Sequence, residues 1–145
     1  MAHGLEGRLQ DRVFVVTGGG TGIGAASAIA CAEVGMDVLL VGRRTEPLEK
    51  VAGRIEAAGR RAEVLSIDVS EDGASQRILD TAEERLGGFD VVFANAGYGA
   101  EKPLVNMAEA DIRRMMDVNF IATAFLLREA GLRMVGENRK GHLLA

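Results

Sequence analysis

Four short apolar runs rich in β-branched residues, Val13–Val16, Val38–Val41, Val64–Ile67 and Val91–Phe93, recur along the chain, each followed by a stretch of helical periodicity. The repeat is a βα unit of about 26 residues, long enough for each helix to carry the chain back and start the next strand parallel to the last. The runs are apolar on both faces and lack the alternation of a sheet that meets water on one side. The expectation is a parallel sheet with helices on both faces. At 145 residues, with 48% of them apolar, the chain has the material for one domain, residues 1–145, around a single core.

The helices carry their own punctuation. Ala25 to Val34 is mostly small residues, which lets that helix lie close to the sheet, and Gly35 stops it. Thr45 is expected to cap the second helix, whose Leu48, Val51 and Ile55 share a face before Gly59. Ser70 is expected to cap the third, with Ile78, Leu79, Ala82 and Leu86 inward. Asn106 followed by Glu109 reads as a capping box for the fourth, spanning 107–135. From Phe120 to Leu127 this fourth helix is apolar nearly all round, so it needs cover on two sides. A second subunit and the remainder of a larger fold are both candidates.

Thr17 to Gly24 reads TGGGTGIG, directly after the first strand and directly before the first helix. A pyrophosphate binds at a helix N-terminus through free backbone N–H groups and the positive end of the helix dipole, provided no Cβ blocks its approach. Gly18 suits the tight turn, Gly22 the close approach of phosphates and Gly24 the packing of helix on strand. Gly20, Thr21 and Ile23 complete the turn. A phosphate loop of the Walker type would need Gly-Lys-Ser/Thr where this chain has Gly24-Ala25-Ala26.

Three motifs in order, Thr-Gly-x-x-x-Gly-x-Gly from Thr17, Asn95-Ala96-Gly97 after the fourth strand and Asn119 in the following helix, resemble the short-chain dehydrogenase/reductase family from Arg12 to Ala145. The resemblance implies an α/β Rossmann-type doubly wound parallel sheet of strand order 3-2-1-4, with the start of strand 5. It also implies transfer of a hydride between a nicotinamide cofactor and an alcohol or carbonyl substrate. In that order the glycine turn and Asn95-Ala96-Gly97 face one crevice between strands one and four. By the same resemblance Asn95 to Gly97 border the cofactor's ribose, and Asp68 with Val69 hold the adenine edge.

Strand two ends in Gly42-Arg43-Arg44, where an NAD site places a carboxylate for the ribose 2′-hydroxyl. An arginine fork makes charge-assisted hydrogen bonds to a 2′-phosphate that a carboxylate would repel. NADP is therefore favoured over NAD. Where relatives carry a basic residue inside the glycine turn this chain has Thr21, so selectivity rests on Arg43, with Arg44 in support.

The family's proton-transferring tyrosine, its lysine and the serine after strand five have no counterparts before Ala145. Of the four catalytic positions Asn119 alone is matched, and the chain is expected to stop inside strand five. Tyr98 and Lys102 have Tyr-x-x-x-Lys spacing, but Gly97, Gly99 and Pro103 argue against the helix that would align them, and Tyr98 is expected to line the cleft near the nicotinamide. As an isolated object the chain is expected to bind cofactor without turnover. Two other classes stay open: a nucleotide-binding or redox-sensing module without catalysis, and a structural subunit whose fourth helix docks a partner chain.

A net charge of −4 leaves no broad attraction to nucleic acid or an anionic membrane. No apolar run approaches the ~20 residues of a membrane span, and Met1 to Gln10 is too polar for a signal peptide, so a cytoplasmic protein is expected. The lone Cys31 reads as a small buried side chain, and neither His3 nor His142 has metal-binding or catalytic company. No metal site is expected. The family's dimers use the fourth helix, so the resemblance implies a homo-oligomer through 107–135.

Overall fold

The computed structural model describes residues 7–145. His3 and most of the polar start of the chain lie outside them. Five strands, β1 (Val13–Thr17), β2 (Asp37–Gly42), β3 (Ala62–Ser66), β4 (Val91–Phe93) and β5 (His142–Leu144), form one sheet in the order β3-β2-β1-β4-β5. All neighbours run parallel, with Val15 opposite Leu39 on one side and Val92 on the other, and Val92 opposite Leu143. This is the parallel sheet that the βα repeat called for, in the doubly wound α/β order that the family resemblance implied.

Alternation along the strands builds two cores. Val13, Val15, Leu39, Val41 and Val92 face α3 (Ala74–Leu86) and α5 (Ala122–Gly136), meeting Ile78, Leu79, Ala82, Leu126 and Ala130. Phe14, Val16, Val38 and Leu40 face α1 (Gly22–Glu33) and α2 (Thr45–Ala57), meeting Ala28, Ala32, Leu48, Val51 and Ile55. Each fully buried Leu, Val or Ile contributes roughly 1.5–3 kcal/mol relative to exposure, which explains why the central strands are apolar throughout. The edge strand β3 is half-buried and carries Glu63, which pairs with Arg85 at 3.3 Å. Cys31 is half-buried against the second core, and burial pushes its thiol up. No helix among the described residues is long and apolar enough to cross a membrane.

The caps depart from the sequence reading in three places. Thr45 is already helical and the N-cap is Arg44, with no side-chain cap bond. Ser70 does not cap α3. Its hydroxyl donates to Asp68 Oδ1 at 2.6 Å, closing a turn, and α3 starts four residues later, at Ala74, behind Gly73, whose φ of 75° a Cβ would oppose. Asn106 ends a short 3₁₀ turn (Leu104–Asn106), and Ala108 is the N-cap of α4 (Glu109–Met116), so the capping box does not form. Glu109 instead pairs with Arg113 one turn on, at 2.6 Å.

The expected single helix over 107–135 is also divided. A π-helical turn, Asp117–Ile121, separates α4 from α5, although the chain stays helical from Glu109 to Gly136. None of the residues of α4 is buried. Phe120, Phe125, Leu132 and Val135 are exposed along the rest, Val135 at 82%.

Ion pairs staple the lower rim of the sheet. Asp37, which opens β2, is buried, and its carboxylate accepts from the Arg61 backbone N–H at 3.1 Å and from Arg61 Nε at 2.7 Å, and pairs with Arg60 Nη2 at 2.8 Å. Burial pushes the Asp37 carboxyl up, but the Arg61 hydrogen bonds and the charges of Arg60 and Arg61 outweigh it and hold it below the usual carboxylate range. Asp90 does similar work beside β4, accepting from the Val13 backbone N–H at 2.8 Å and from Arg12 at 2.6 Å.

Candidate functional site

The site forms where β1 and β4 part, the point at which the strand order reverses. Thr17, the last residue of β1, is buried, and its Oγ1 accepts from the Ala96 backbone N–H at 2.9 Å. Its carbonyl accepts from Asn95 Nδ2 at 3.0 Å. These two bonds tie the glycine turn to the segment after β4 and set the floor of the crevice between them. Asn95 therefore works beneath the floor, as a brace, and does not line the open cleft. Thr17 was quoted in the motif without a role; a threonine ending a buried strand beside a glycine turn is the signal that could have found it.

Above this floor lies a cleft of about 240 Å³. Gly18, Gly20 and Thr21 line it from the glycine turn, Arg43 and Arg44 from the end of β2, Asp68 and Val69 from the end of β3, and Ala96 and Gly97 from the end of β4. Nine of the proposed binding residues, distant in sequence, thus meet on one surface. Gly22, Ile23 and Gly24 stand at the start of α1 and do not line that cavity. Gly42, Pro47, Leu48, Ile67, Tyr98 and Val118 complete the lining. Pro47, Leu48, Ile67 and Val118 escaped the sequence reading as lining residues, because they are apolar and carry no motif.

The glycine turn has the form a phosphate group needs. No side chain caps the N-terminus of α1, and its first-turn amides have no intrahelical acceptor. Gly22 has φ of 54°, and a Cβ added there would meet nothing within 4 Å, so the space beside it is open. Gly24 is the opposite case, since a Cβ there would strike the Gly18 carbonyl oxygen and lie 2.7 Å from Asn95 Nδ2. The residues fit a dinucleotide, with a helix dipole and free N–H donors facing space that no Cβ occupies.

A model of the short chain dehydrogenase family matches residues 12–145. The chain belongs to the short-chain dehydrogenase family. It is 35% identical over 134 residues to an uncharacterized oxidoreductase of Mycobacterium tuberculosis, covering 92% of this chain and 51% of the relative. Among solved structures it resembles an NAD+-bound xylitol dehydrogenase with a TM-score of 0.86 at 29% identity, over 93% of this chain and 52% of that one. It also resembles a metagenomic short-chain oxidoreductase in complex with NADP, with a TM-score of 0.85 at 35% identity, over 92% of this chain and 61% of that one. The chain thus spans about half the length of the curated relatives it matches.

At the far end of the cleft Asn119 occupies the π-helical turn and holds the backbone of Tyr98 with both ends of its amide. Its Oδ1 accepts from the Tyr98 N–H at 3.0 Å and its Nδ2 donates to the Tyr98 carbonyl at 2.8 Å. Gly97 lies beneath this clamp, where a Cβ would come within 3.2 Å of Asn119 Oδ1. Tyr98 and Lys102 do not share a helix face. Residues 94–100 are irregular, and Lys102 is drawn away to Asp111 at 2.6 Å.

At the β3 end Asp68 is held on both oxygens. Oδ1 accepts from the Ser70 backbone N–H at 3.0 Å and from its hydroxyl, and Oδ2 pairs with Arg114 of α4 at 2.9 Å. Burial pushes this carboxyl up, and the bonds from Ser70 and Arg114 outweigh it, so Asp68 sits below the usual carboxylate range. It is ionised at neutral pH.

Proposed function

We propose that this short-chain dehydrogenase holds NADP for a hydride transfer to or from an alcohol or carbonyl substrate. The observation that carries the reading is the pair Arg43 and Arg44 on the wall of the cleft at the end of β2, where an NAD site would present a carboxylate. Ser66 Oγ donates to the Arg43 carbonyl at 3.1 Å, which fixes the backbone from which that guanidinium reaches the cleft. Both guanidiniums are exposed on that wall, where a 2′-phosphate would find donors.

In this reading NADP, when bound, supplies or accepts the hydride at its nicotinamide. The chain's own residues do the holding. The α1 N-terminus at Gly22, Ile23 and Gly24 takes the pyrophosphate, with Gly18, Gly20 and Thr21 shaping the turn. Asp68 and Val69 take the adenine edge, and the backbone from Asn95 to Gly97 borders the ribose, with the Asn95 side chain bracing it from beneath. Asn119 fixes the Tyr98 segment beside the reacting end and is the chain's candidate catalytic group, by resemblance to the family's relay.

Titration with NADPH and NADH tests this. Charge-assisted bonds to the 2′-phosphate, contributing about 1.5–3 kcal/mol, give a preference of roughly tenfold to a hundredfold for NADPH. Arg43→Ala is expected to remove most of it. Equal dissociation constants in the unaltered protein would sink the NADP reading.

We also propose that α5 pairs with a second copy of the chain, because Phe125, Leu132 and Val135 present apolar surface that water leaves uncovered. Phe125→Glu is expected to shift the mass measured by light scattering toward the monomer. A monomeric unaltered protein would argue against this pairing.

A further inference from the structure

The segment from α4 through the π turn has an odd mechanical position. α4 buries none of its residues, so its own packing does not set where it lies. It is carried as an extension of α5, whose Leu126 and Ala130 pack in the core, and polar contacts along the run reach both ends of the cleft. Arg114 Nη2 reaches Asp68 Oδ2 at 2.9 Å, across 46 residues of sequence, on the loop that lines the β3 end. Five residues later on the same helical run, Asn119 grips the backbone of Tyr98 at the β4 end.

We propose that Arg114 is a positioning residue for cofactor binding, and that the helical run from Arg114 to Asn119 is a strut that sets the spacing between the two ends of the crevice. The inference rests on the cleft being the cofactor site. Asp68 would otherwise be free to swing. With Ser70 on one oxygen and Arg114 on the other, its carboxylate plane and the turn from Asp68 to Gly73 are fixed before the ligand arrives, which lowers the ordering cost of binding. Because the two holds lie on one rod, loosening Arg114 loosens the adenine end without breaking the clamp on Tyr98. Arg113, the neighbouring residue, pairs only within α4, with Glu109 at 2.6 Å, and has no such part.

The test uses 2′,5′-ADP, which carries the adenine and the 2′-phosphate without a nicotinamide, by calorimetry on the unaltered chain and on Arg114→Ala, Arg114→Lys and Arg113→Ala. Arg114→Ala is expected to bind 2′,5′-ADP roughly three- to tenfold more weakly, the range set by a half-exposed ion pair and the loss of preorganisation. Arg114→Lys is expected to recover most of that loss, and Arg113→Ala to match the unaltered chain. Ligand-free melting temperatures are expected to agree among all four, because α4 buries nothing. An unaltered chain that binds 2′,5′-ADP while Arg114→Ala binds it equally well overturns the strut alone. A melting temperature that falls in step with affinity, without rescue by lysine, overturns it too, by showing a general structural role. An unaltered chain that binds neither 2′,5′-ADP nor NADPH overturns the cofactor reading together with the inference built on it.

Discussion

Gly24→Ala is expected to lower the melting temperature by on the order of 10 °C and to abolish measurable NADPH binding. The added Cβ would strike the Gly18 carbonyl oxygen and crowd Asn95 Nδ2 at 2.7 Å, and the first of these is backbone that cannot step aside. Overpacking of this kind costs about 3 kcal/mol, which in a chain of this size shifts the midpoint by roughly 10 °C. Relief requires α1 to lift from the end of β1, which carries its N-terminal amides away from the crevice and breaks the brace from Asn95 to Thr17. Gly22→Ala separates the two effects. The space there is open, so the fold loses only the roughly 1–2 kcal/mol of a left-handed backbone, while the methyl fills room the phosphates need. NADPH binding is expected to fall at least about tenfold with a far smaller change in melting temperature. Equal losses of stability in the two variants would remove the distinction between packing glycine and binding glycine.

Asp37→Asn is expected to cost about 3–5 kcal/mol of stability in urea titration at pH 7. The amide keeps the shape but leaves the Arg60 guanidinium, itself mostly buried, without its nearest negative charge. Arg60 Nε lacks a hydrogen-bond partner, and the carboxylate that remains to the guanidinium, Asp11 Oδ1 at 2.9 Å, is exposed to water and compensates it weakly. The pH dependence gives a sharper check. Asp37 is held below its unfolded value, so its contribution is fully present above about pH 5 and is lost as pH falls past the unfolded value of about 3.9 toward the lower folded one. The gap between the unaltered chain and Asp37→Asn is expected to close over that window. A gap of constant size down to pH 3 would mean that the shape of the side chain matters and its charge does not.

What the sequence made legible is what repeats or what glycine alone can do. Strand positions follow from β-branched runs, and β4 falls on Val91–Phe93 as read. The sheet order comes from the family resemblance that Thr17-Gly18, Asn95-Ala96-Gly97 and Asn119 carry. Local hydrogen-bonding choices were not legible. Ser70 looked like a cap because serine caps helices, but Asp68 two residues earlier offered its hydroxyl a charged acceptor and Gly73 took the helix start. Asn106 and Glu109 had the spacing of a capping box, yet Arg113 one turn on drew Glu109 into an ion pair. The π-helical turn at Asn119 left no trace in periodicity, since one extra residue in a mostly apolar helix hides among apolar neighbours. Arg114 and Arg60 belong to no motif, and only the folded chain brings them to Asp68 and Asp37.

The seam made by Thr17, Asn95 and Ala96 has a consequence for how such a protein can be altered. It joins β1 to β4, whereas the arginines proposed to choose the cofactor stand on the far side of the turn, at the end of β2. Grip and choice therefore reside on different strands, linked at the turn by the Gly19 backbone N–H donating to the Val41 carbonyl at 3.1 Å, a main-chain bond that does not depend on the side chains at 43 and 44. Cofactor preference becomes a detachable trait: the turn after β2 can be rewritten, by drift or by design, while the pyrophosphate cradle remains as it was.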